Sequence, residues 1–298
     1  MCGIIGLLMK KSEARDSLGQ WLAPMMVCMN DRGPDSAGLA VFGGATDRRM
    51  RFSLFSLHPQ TDFSELASRF TRDSGIPAEI QIVEHQAVLS AACERGYFLG
   101  WLSAAFPDVR LLAAGHSIQL FKDVGSPKSL VEQYGVADLT GTHAVGHTRM
   151  ATESAVSPAH AHPFTAGEDF CLVHNGSLSN PYSLRRRLER KGIVFETDND
   201  TEAACRFLEW RMREGDTLEQ AIEKAFEELD GFYTLLMATP SRMVLVKDPY
   251  ACKPAVVVET DDYVAVASEF RSLAHLPGVE DAELFEPRPQ TIYSWSVQ

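Results

Sequence analysis

Cys2-Gly3-Ile4-Ile5-Gly6-Leu7-Leu8, directly behind Met1, is the stretch on which the fold turns. Aliphatic residues between closely spaced glycines predict a short buried strand whose backbone packs tightly against its neighbours. The strand begins on a cysteine. A small second residue permits removal of Met1, which leaves Cys2 with a free α-amine. Such an amine has an unperturbed pKa of roughly 7.7–8.0 and can act as a base near neutral pH. Thiol and base then share one residue, an arrangement suited to nucleophilic catalysis. Taken alone, a cysteine behind the start methionine is equally an accident of sequence.

Around this stretch lies a chain of 298 residues, 45% hydrophobic and 23% charged, which is enough to bury a core without disulfides or metals. Its net charge of −12 argues against a nucleic-acid partner or an anionic membrane surface. The basic run Arg185-Arg186-Arg187, with Arg190 and Lys191, reads as a solvated helix face balanced by Glu189. No apolar run reaches the roughly 20 residues that span a bilayer. Ile4–Met9 is too short for the core of a signal peptide, and Lys10-Lys11 follow it instead of preceding it. A cytoplasmic protein is expected. The cysteines at 2, 28, 93, 171, 205 and 252 show no paired spacing, and most should be small buried hydrophobes in a reducing compartment.

Periodicity predicts a helix over about 13–30, with Leu18, Trp21, Leu22, Met25, Met26 and Met29 on one face. Asn30–Asp35 is turn chemistry, and Leu39–Phe42 reads as a strand. Strands are expected at 50–57, 79–83 and 117–121, and helices at 64–72, 87–94 and 128–134. Short strands at 144–147 and 169–173 each end in a polar cluster. Helices follow over 180–191, 201–213 and 217–229, then four strands at 232–238, 243–247, 254–259 and 263–267. Helices flanked by runs of strands predict sheets covered by helices.

Four segments are richer in polar groups than such roles require. Cys2-Gly3-Ile4-Ile5-Gly6 is the first, and Asn30-Asp31-Arg32-Gly33-Pro34-Asp35-Ser36-Ala37-Gly38 the second. In the third, Gly146-His147-Thr148-Arg149-Met150-Ala151-Thr152 leads to Ala161-His162-Pro163-Phe164. An arginine just past a buried strand suits bidentate recognition of a carboxylate, and equally a structural ion pair. His147 and His162 have no further ligand at metal-site spacing, so no metal is expected. The fourth segment pairs His174-Asn175-Gly176 with Asp198-Asn199-Asp200-Thr201-Glu202. An Asn175 amide with the Gly176 N–H can form an oxyanion hole, or the triplet can be a turn. Asp200 is placed to cap the helix that follows, or to receive an ammonium group.

In this order the motifs Cys-Gly-Ile-Ile-Gly, Arg-Gly-Pro-Asp-Ser-Ala-Gly, Gly-His-Thr-Arg-x-Ala-Thr, His-Asn-Gly and Asp-Thr-Glu resemble the class II glutamine amidotransferases, an N-terminal-nucleophile hydrolase family. Lys247-Asp248-Pro249, Lys253-Pro254 and Ala267-Ser268-Glu269 are similar to the family's distal strand motifs. The resemblance spans roughly 2–40 and 115–275. It implies an α+β fold, a four-layer αββα sandwich, that hydrolyses the side-chain amide of L-glutamine to glutamate and ammonia. Matched by position, Cys2 is the nucleophile with its α-amine as base, and Asn175 and Gly176 form the oxyanion hole. Arg149 holds the substrate carboxylate, Asp200 its ammonium, Thr152 and His162 line the pocket, and Arg32 supports the Cys2 loop. A zwitterion with a terminal amide needs those three kinds of group on independent physical grounds.

The chain departs from sugar-phosphate members of the family by carrying Met150 and Glu153 in place of an aromatic and a histidine. A single domain over 2–298 is expected, with an insertion at about 44–115 suited to a partner contact or a lid. No phosphate-binding loop or nucleotide-sized second domain follows it, so the ammonia is expected to pass to another chain. This organisation resembles the stand-alone amidotransferase subunits of glutamate-synthase and N-methylglutamate-synthase type. In those systems synthase subunits carry the flavin and iron–sulfur cofactors, and none is expected in this chain. Two rival readings remain. An N-terminal-nucleophile amidase for another amide need not keep the Arg149/Asp200 clamp, and a non-catalytic regulatory subunit need not keep Cys2.

Overall fold

A computed structural model describes residues 2–44, 49–56, 58, 60–151 and 156–297. In chain order its strands begin with β1 (Gly3–Met9), β2 (Ser36–Phe42), β3 (Met50–Ser56), β4 (Ala78–Val83) and β5 (Gln86–Ala91). Next come β6 (Val109–Gly115), β7 (Ile118–Val124), β8 (His143–Arg149), β9 (Phe164–Thr165), β10 (Cys171–Leu178) and β11 (Gly231–Thr239). The last are β12 (Arg242–Lys247), β13 (Val256–Glu259), β14 (Tyr263–Ala267), β15 (Glu283–Phe285) and β16 (Tyr293–Ser296). The helices are α1 (Leu18–Cys28), α2 (Phe63–Ser74), α3 (Arg95–Ala105), α4 (Pro127–Gln133), α5 (Pro181–Glu189), α6 (Asp200–Arg213) and α7 (Leu218–Glu228).

The opening strand lies at the centre of a seven-stranded antiparallel sheet, ordered β15-β13-β14-β1-β8-β2-β7. Side chains alternate across a strand, so one residue in two serves each face. Ile5, Leu7 and Met9 pack with Leu18, Leu22, Met25, Met26 and Met29 of the α1 region. Ile4 and Leu8 point the other way, onto Cys171 and Val173 of β10 and Leu236 and Leu245 beyond. Those residues belong to a five-stranded sheet, β16-β12-β11-β10-β9. Each such side chain, removed from water, contributes about 1.5–3 kcal/mol. The far face of the second sheet, through Leu172, Leu235, Met237, Val244 and Val246, carries α5, α6 and α7. Helices, sheet, sheet, helices: the αββα sandwich that the resemblance implied is the observed architecture.

Gly6 explains the glycine in the opening strand. A Cβ there would lie 2.8 Å from a Leu236 methyl and 2.9 Å from the Met243 sulfur, both on the opposite sheet. The Leu236 and Met243 side chains of the second sheet fill the space that Gly6 leaves open.

Residues 50–115 build a third sheet, β4-β5-β3-β6, with its own aromatic core. Phe52 stacks on Phe98 at 4.0 Å, and Phe70 meets Phe98 edge-on at 5.3 Å. Asp62 caps α2 through the Ser64 and Glu65 amides, at 2.9 and 3.0 Å. This module is stitched to the body by polar bonds: Gln86 Nε2 donates to Lys122 O and reaches the Tyr134 hydroxyl, both at 2.7 Å.

Several expectations are corrected. The helix expected over 87–94 is strand β5, paired with both β3 and β4. Ala87, Leu89 and Ala91 face the module core while Val88 faces the α1 core. The second face, Gln86, Val88 and Ser90, is also largely buried, so the strand lacks a solvent-facing side that would mark its period. The helix expected over 13–30 is divided into a 3-10 turn (Ser12–Ser17) and α1, and Trp21 is only partly buried, edge-on to Tyr263 at 5.5 Å. Asp200 is not the cap of α6. Asn199 is, its side chain accepting the Thr201 N–H at 2.9 Å, which leaves the Asp200 carboxylate for other partners. The elements α3 and β6 were not anticipated.

Candidate active site at the end of the sandwich

Strand register assembles the site. Gly3 pairs with Thr148 across β1 and β8, so Cys2 lies at the Arg149 end of that ladder. Ser36 of β2 pairs with Arg149 from the other side. The turn before β2 wraps this end: Asp35 N donates to Arg149 O at 3.1 Å, and Ala151 N donates to Asp35 Oδ2 at 2.8 Å. Gly33 is required there, since a Cβ would sit 2.5 Å from the Arg149 nitrogen. Buried Arg32 donates from Nε to Cys2 O at 3.1 Å and from Nη1 to Glu269 Oε1 at 2.6 Å. Hydrogen bonding from Arg32 holds the Glu269 carboxyl below its usual range. The partly exposed Cys2 thiol donates to the Met150 carbonyl at 3.7 Å.

The second sheet supplies the opposing wall. His147 Nε2 bonds the His174 carbonyl at 3.0 Å, tying β8 to β10 just before Asn175. A carbonyl only accepts, so His147 carries its proton on Nε2. Asn175 is 4% exposed, and its Nδ2 has no hydrogen-bond partner among the described residues. An unpaired buried donor costs about 1–3 kcal/mol, a cost that a ligand oxygen relieves. Gly176 follows with φ +145°, and a Cβ there would lie 1.9 Å from the Phe232 carbonyl. Only glycine fits.

Behind these residues lies a polar cluster built on Thr201. Its hydroxyl meets His162 Nε2 at 2.8 Å, His174 Nδ1 at 2.9 Å and Asp200 Oδ1 at 3.3 Å. Asp200 Oδ2 accepts the Leu178 N–H at 2.8 Å, yet the carboxylate stays partly open to solvent. The His147 and His162 rings stack at 4.0 Å. Burial pushes His147 down to about 3 and His162 well below its ordinary value; it lowers His174 too, against the pull of Asp200. All three are neutral at pH 7. Among the described residues no group of three or more His, Cys, Asp or Glu is arranged to hold a metal ion.

The site residues named from the sequence thus gather at one end of the sandwich, except Thr152, which lies outside the described residues, as does Glu153. Sequence reasoning quoted Thr201, Glu202 and Glu269 within motifs without giving them roles, and it did not name Lys122. Glu202 shapes the turn before Asp200 by accepting the Glu196 and Thr197 amides at 2.9 and 2.8 Å. Lys122, fully buried, donates to Ala161 O at 2.9 Å, Pro163 O at 3.3 Å and Ala159 O at 3.4 Å, holding the segment that carries His162. Burial pushes its ammonium down to about 8. A lysine inside a strand of alternating apolar residues was the available signal for it.

A family model described as a glutamine amidotransferase domain matches residues 147–275. The glutamine amidotransferase-like protein GlxB of Rhizobium meliloti (strain 1021) is 48% identical, over 100% of this chain and 99% of its own. A putative glutamine amidotransferase of Methanothermobacter thermautotrophicus is 33% identical, over 98% and 99% of the two chains. Among solved structures, the glutamine phosphoribosylpyrophosphate amidotransferase of B. subtilis superposes with a TM-score of 0.62 at 19% identity, covering 99% of this chain. The chain spans about half, 49%, of that structure, and the likeness speaks to the fold alone. No helix of the described residues is long and apolar enough to cross a membrane.

Proposed function

The chain belongs to the class II glutamine amidotransferases, and from that premise we propose that it hydrolyses L-glutamine to glutamate and ammonia at the Cys2 end of the sandwich. The observation that carries this reading is the Asn175 amide, a buried donor with no partner among the described residues, beside a glycine whose backbone tolerates no side chain. In the proposed reaction Met1 is removed and the Cys2 thiol passes its proton to its own α-amine. The sulfur attacks the amide carbon, and the oxyanion is met by Asn175 Nδ2 and the Gly176 N–H. The amine proton leaves with ammonia. Water then hydrolyses the thioester to glutamate. Arg149 takes the substrate carboxylate and Asp200 its ammonium. His162 and Thr152 border the side-chain pocket. Arg32 holds the Cys2 carbonyl and so sets the direction of the thiol.

We further propose a single domain over 2–298 with 44–115 as an insertion, working in the cytoplasm. The ammonia is consumed by a separate synthase of glutamate-synthase or N-methylglutamate-synthase type, which would hold any flavin or iron–sulfur centre. The end-to-end match with two relatives of nearly the same extent supports the separation of subunits. Ammonia release from glutamine, measured on protein with a verified N-terminus, tests the mechanism. Cys2→Ala, and a variant that keeps an extra residue before Cys2, should both lose the activity. Normal release from either would remove Cys2 from its role. Co-purification from the native source then identifies the acceptor enzyme.

A further inference from the structure

A cavity of about 670 Å³ opens where the 50–115 module meets the body, and Cys2, Arg149 and Asn175 are not among its walls. Its size lies within the range of about 300–1,000 Å³ usual for small-molecule sites. On the module side its walls are α3 and β6, through Leu99, Leu102 and Leu111; Phe164 and Phe195 face them from the body. Apolar side chains thus make about half of the wall, and polar groups make the rest.

The charges around it are unbalanced in the opposite sense to the chain. Against a net charge of −12, the cavity is lined by four cationic side chains and two carboxylates. Two of the cations are engaged. Arg206 pairs with Glu196 and Glu202, both at 3.3 Å, and Lys122 donates to three carbonyls. The guanidinium groups of Arg95, at the start of α3, and Arg110, exposed on β6, have no ion pair or hydrogen bond among the described residues. Two open guanidinium groups at a cavity walled in part by apolar side chains present the chemistry that recognises a carboxylate or a phosphate on an apolar body.

We propose that this cavity binds a small organic anion, its carboxylate or phosphate held by Arg95 and Arg110 and its apolar body lying against Leu102, Leu111 and Phe164. The back wall links it to the candidate active site. Ser157 and Pro158 lead into the segment carrying His162, while Thr197 and Glu202 flank Asp200. Occupancy bears on both loops, so the site acts as an effector site for glutamine binding. That last clause rests on the proposed glutaminase reading; the binding itself does not.

Calorimetric titration of the full chain with phenyl phosphate, benzoate and inorganic phosphate tests it. At least one aromatic anion should bind with a Kd below about 1 mM, and at least about tenfold more tightly than inorganic phosphate. The tighter aromatic anion assigns the headgroup. The Arg95→Ala/Arg110→Ala double variant, whose changes lie at the rim, should weaken binding at least about tenfold with an unchanged thermal melt. Cys2→Ala should bind as the wild type does, which separates this site from the fate of the glutaminase reading. Absence of binding by both aromatic anions, or equal binding by the double variant, overturns the proposal. The bound anion should also shift the KM for glutamine in the wild type and not in the double variant. An unchanged KM with intact binding overturns the effector role.

Discussion

The two polar assemblies at this end of the sandwich are built on opposite principles. Around Cys2 the contacts are ionic and partly wet: Arg32 joins the Cys2 carbonyl to Glu269, which also meets Arg271 at 2.7 Å. Around Thr201 they are mostly buried, three histidines sharing hydroxyl and carbonyl partners beside the Asp200 carboxylate. Ion pairs near solvent can be rearranged at little cost, whereas hydrogen bonds between buried groups are costly to break. The first assembly is suited to positioning a reactive group that must meet substrate. The second is suited to holding Asn175 and Asp200 still.

The largest effect that would break this contrast is expected at Asn175, which stands between the two. Asn175→Ala should lower kcat by about 10²–10³, as for loss of one oxyanion donor, with little loss of stability because the amide makes no described hydrogen bond through Nδ2. A parallel fall in kcat and melting temperature would assign it a structural role instead. Thr201→Val removes the hub and should destabilise by about 1–3 kcal/mol while raising KM more than it lowers kcat. Thr201→Ser should restore both, and failure of that rescue would show that the methyl group, not the hydroxyl, matters.

Acid should separate the assemblies further. His147 titrates near 3 in the folded chain and near 6.5 when unfolded, so the unfolded state binds the extra proton between those values. Its contribution to stability is fully present above pH 6.5 and is lost as pH falls toward 3. His147→Gln keeps a donor for the His174 carbonyl and removes the proton site. Its urea-derived stability should depend less steeply on pH, by about 1.4 kcal/mol per pH unit between pH 6 and 4. Equal slopes would mean that His147 is not held neutral. The smallest effect is expected at Arg32→Lys, where one ammonium replaces a fork bonded to two partners. A loss of about two- to tenfold in kcat/KM, deepened by salt, is the expected outcome, since the pair with Glu269 is partly exposed. A salt-independent loss would place this assembly with the buried one.

The body of the fold was legible because β1 alternates between two cores around a glycine, and because helices such as α7 carry both apolar spacing and a capping box. The candidate site was read from motifs that carry their own chemistry, as at Cys2 and Asn175, and from the family resemblance, as at Arg32. Elsewhere the information is not local. Strand β5 is largely buried on both faces, Gln86 included, and its position between β3 and β4 distinguishes it from a helix. Asn199 and Asp200 are both adequate caps, and the choice is made by the Leu178 amide, which claims the Asp200 carboxylate from a distant strand. Lys122 and Thr201 have meaning only once three segments of chain converge on them.

Gly6 has a chemical consequence as well as a structural one. The proposed nucleophile rides on one sheet and the proposed oxyanion donor on the other, so the spacing of the sheets is also the reach of the sulfur to the carbon it attacks. At Gly6 the Leu236 methyl and the Met243 sulfur reach across from the other sheet into the room a side chain would take. A methyl group placed there would press on two side chains of the wall that carries the proposed oxyanion donor.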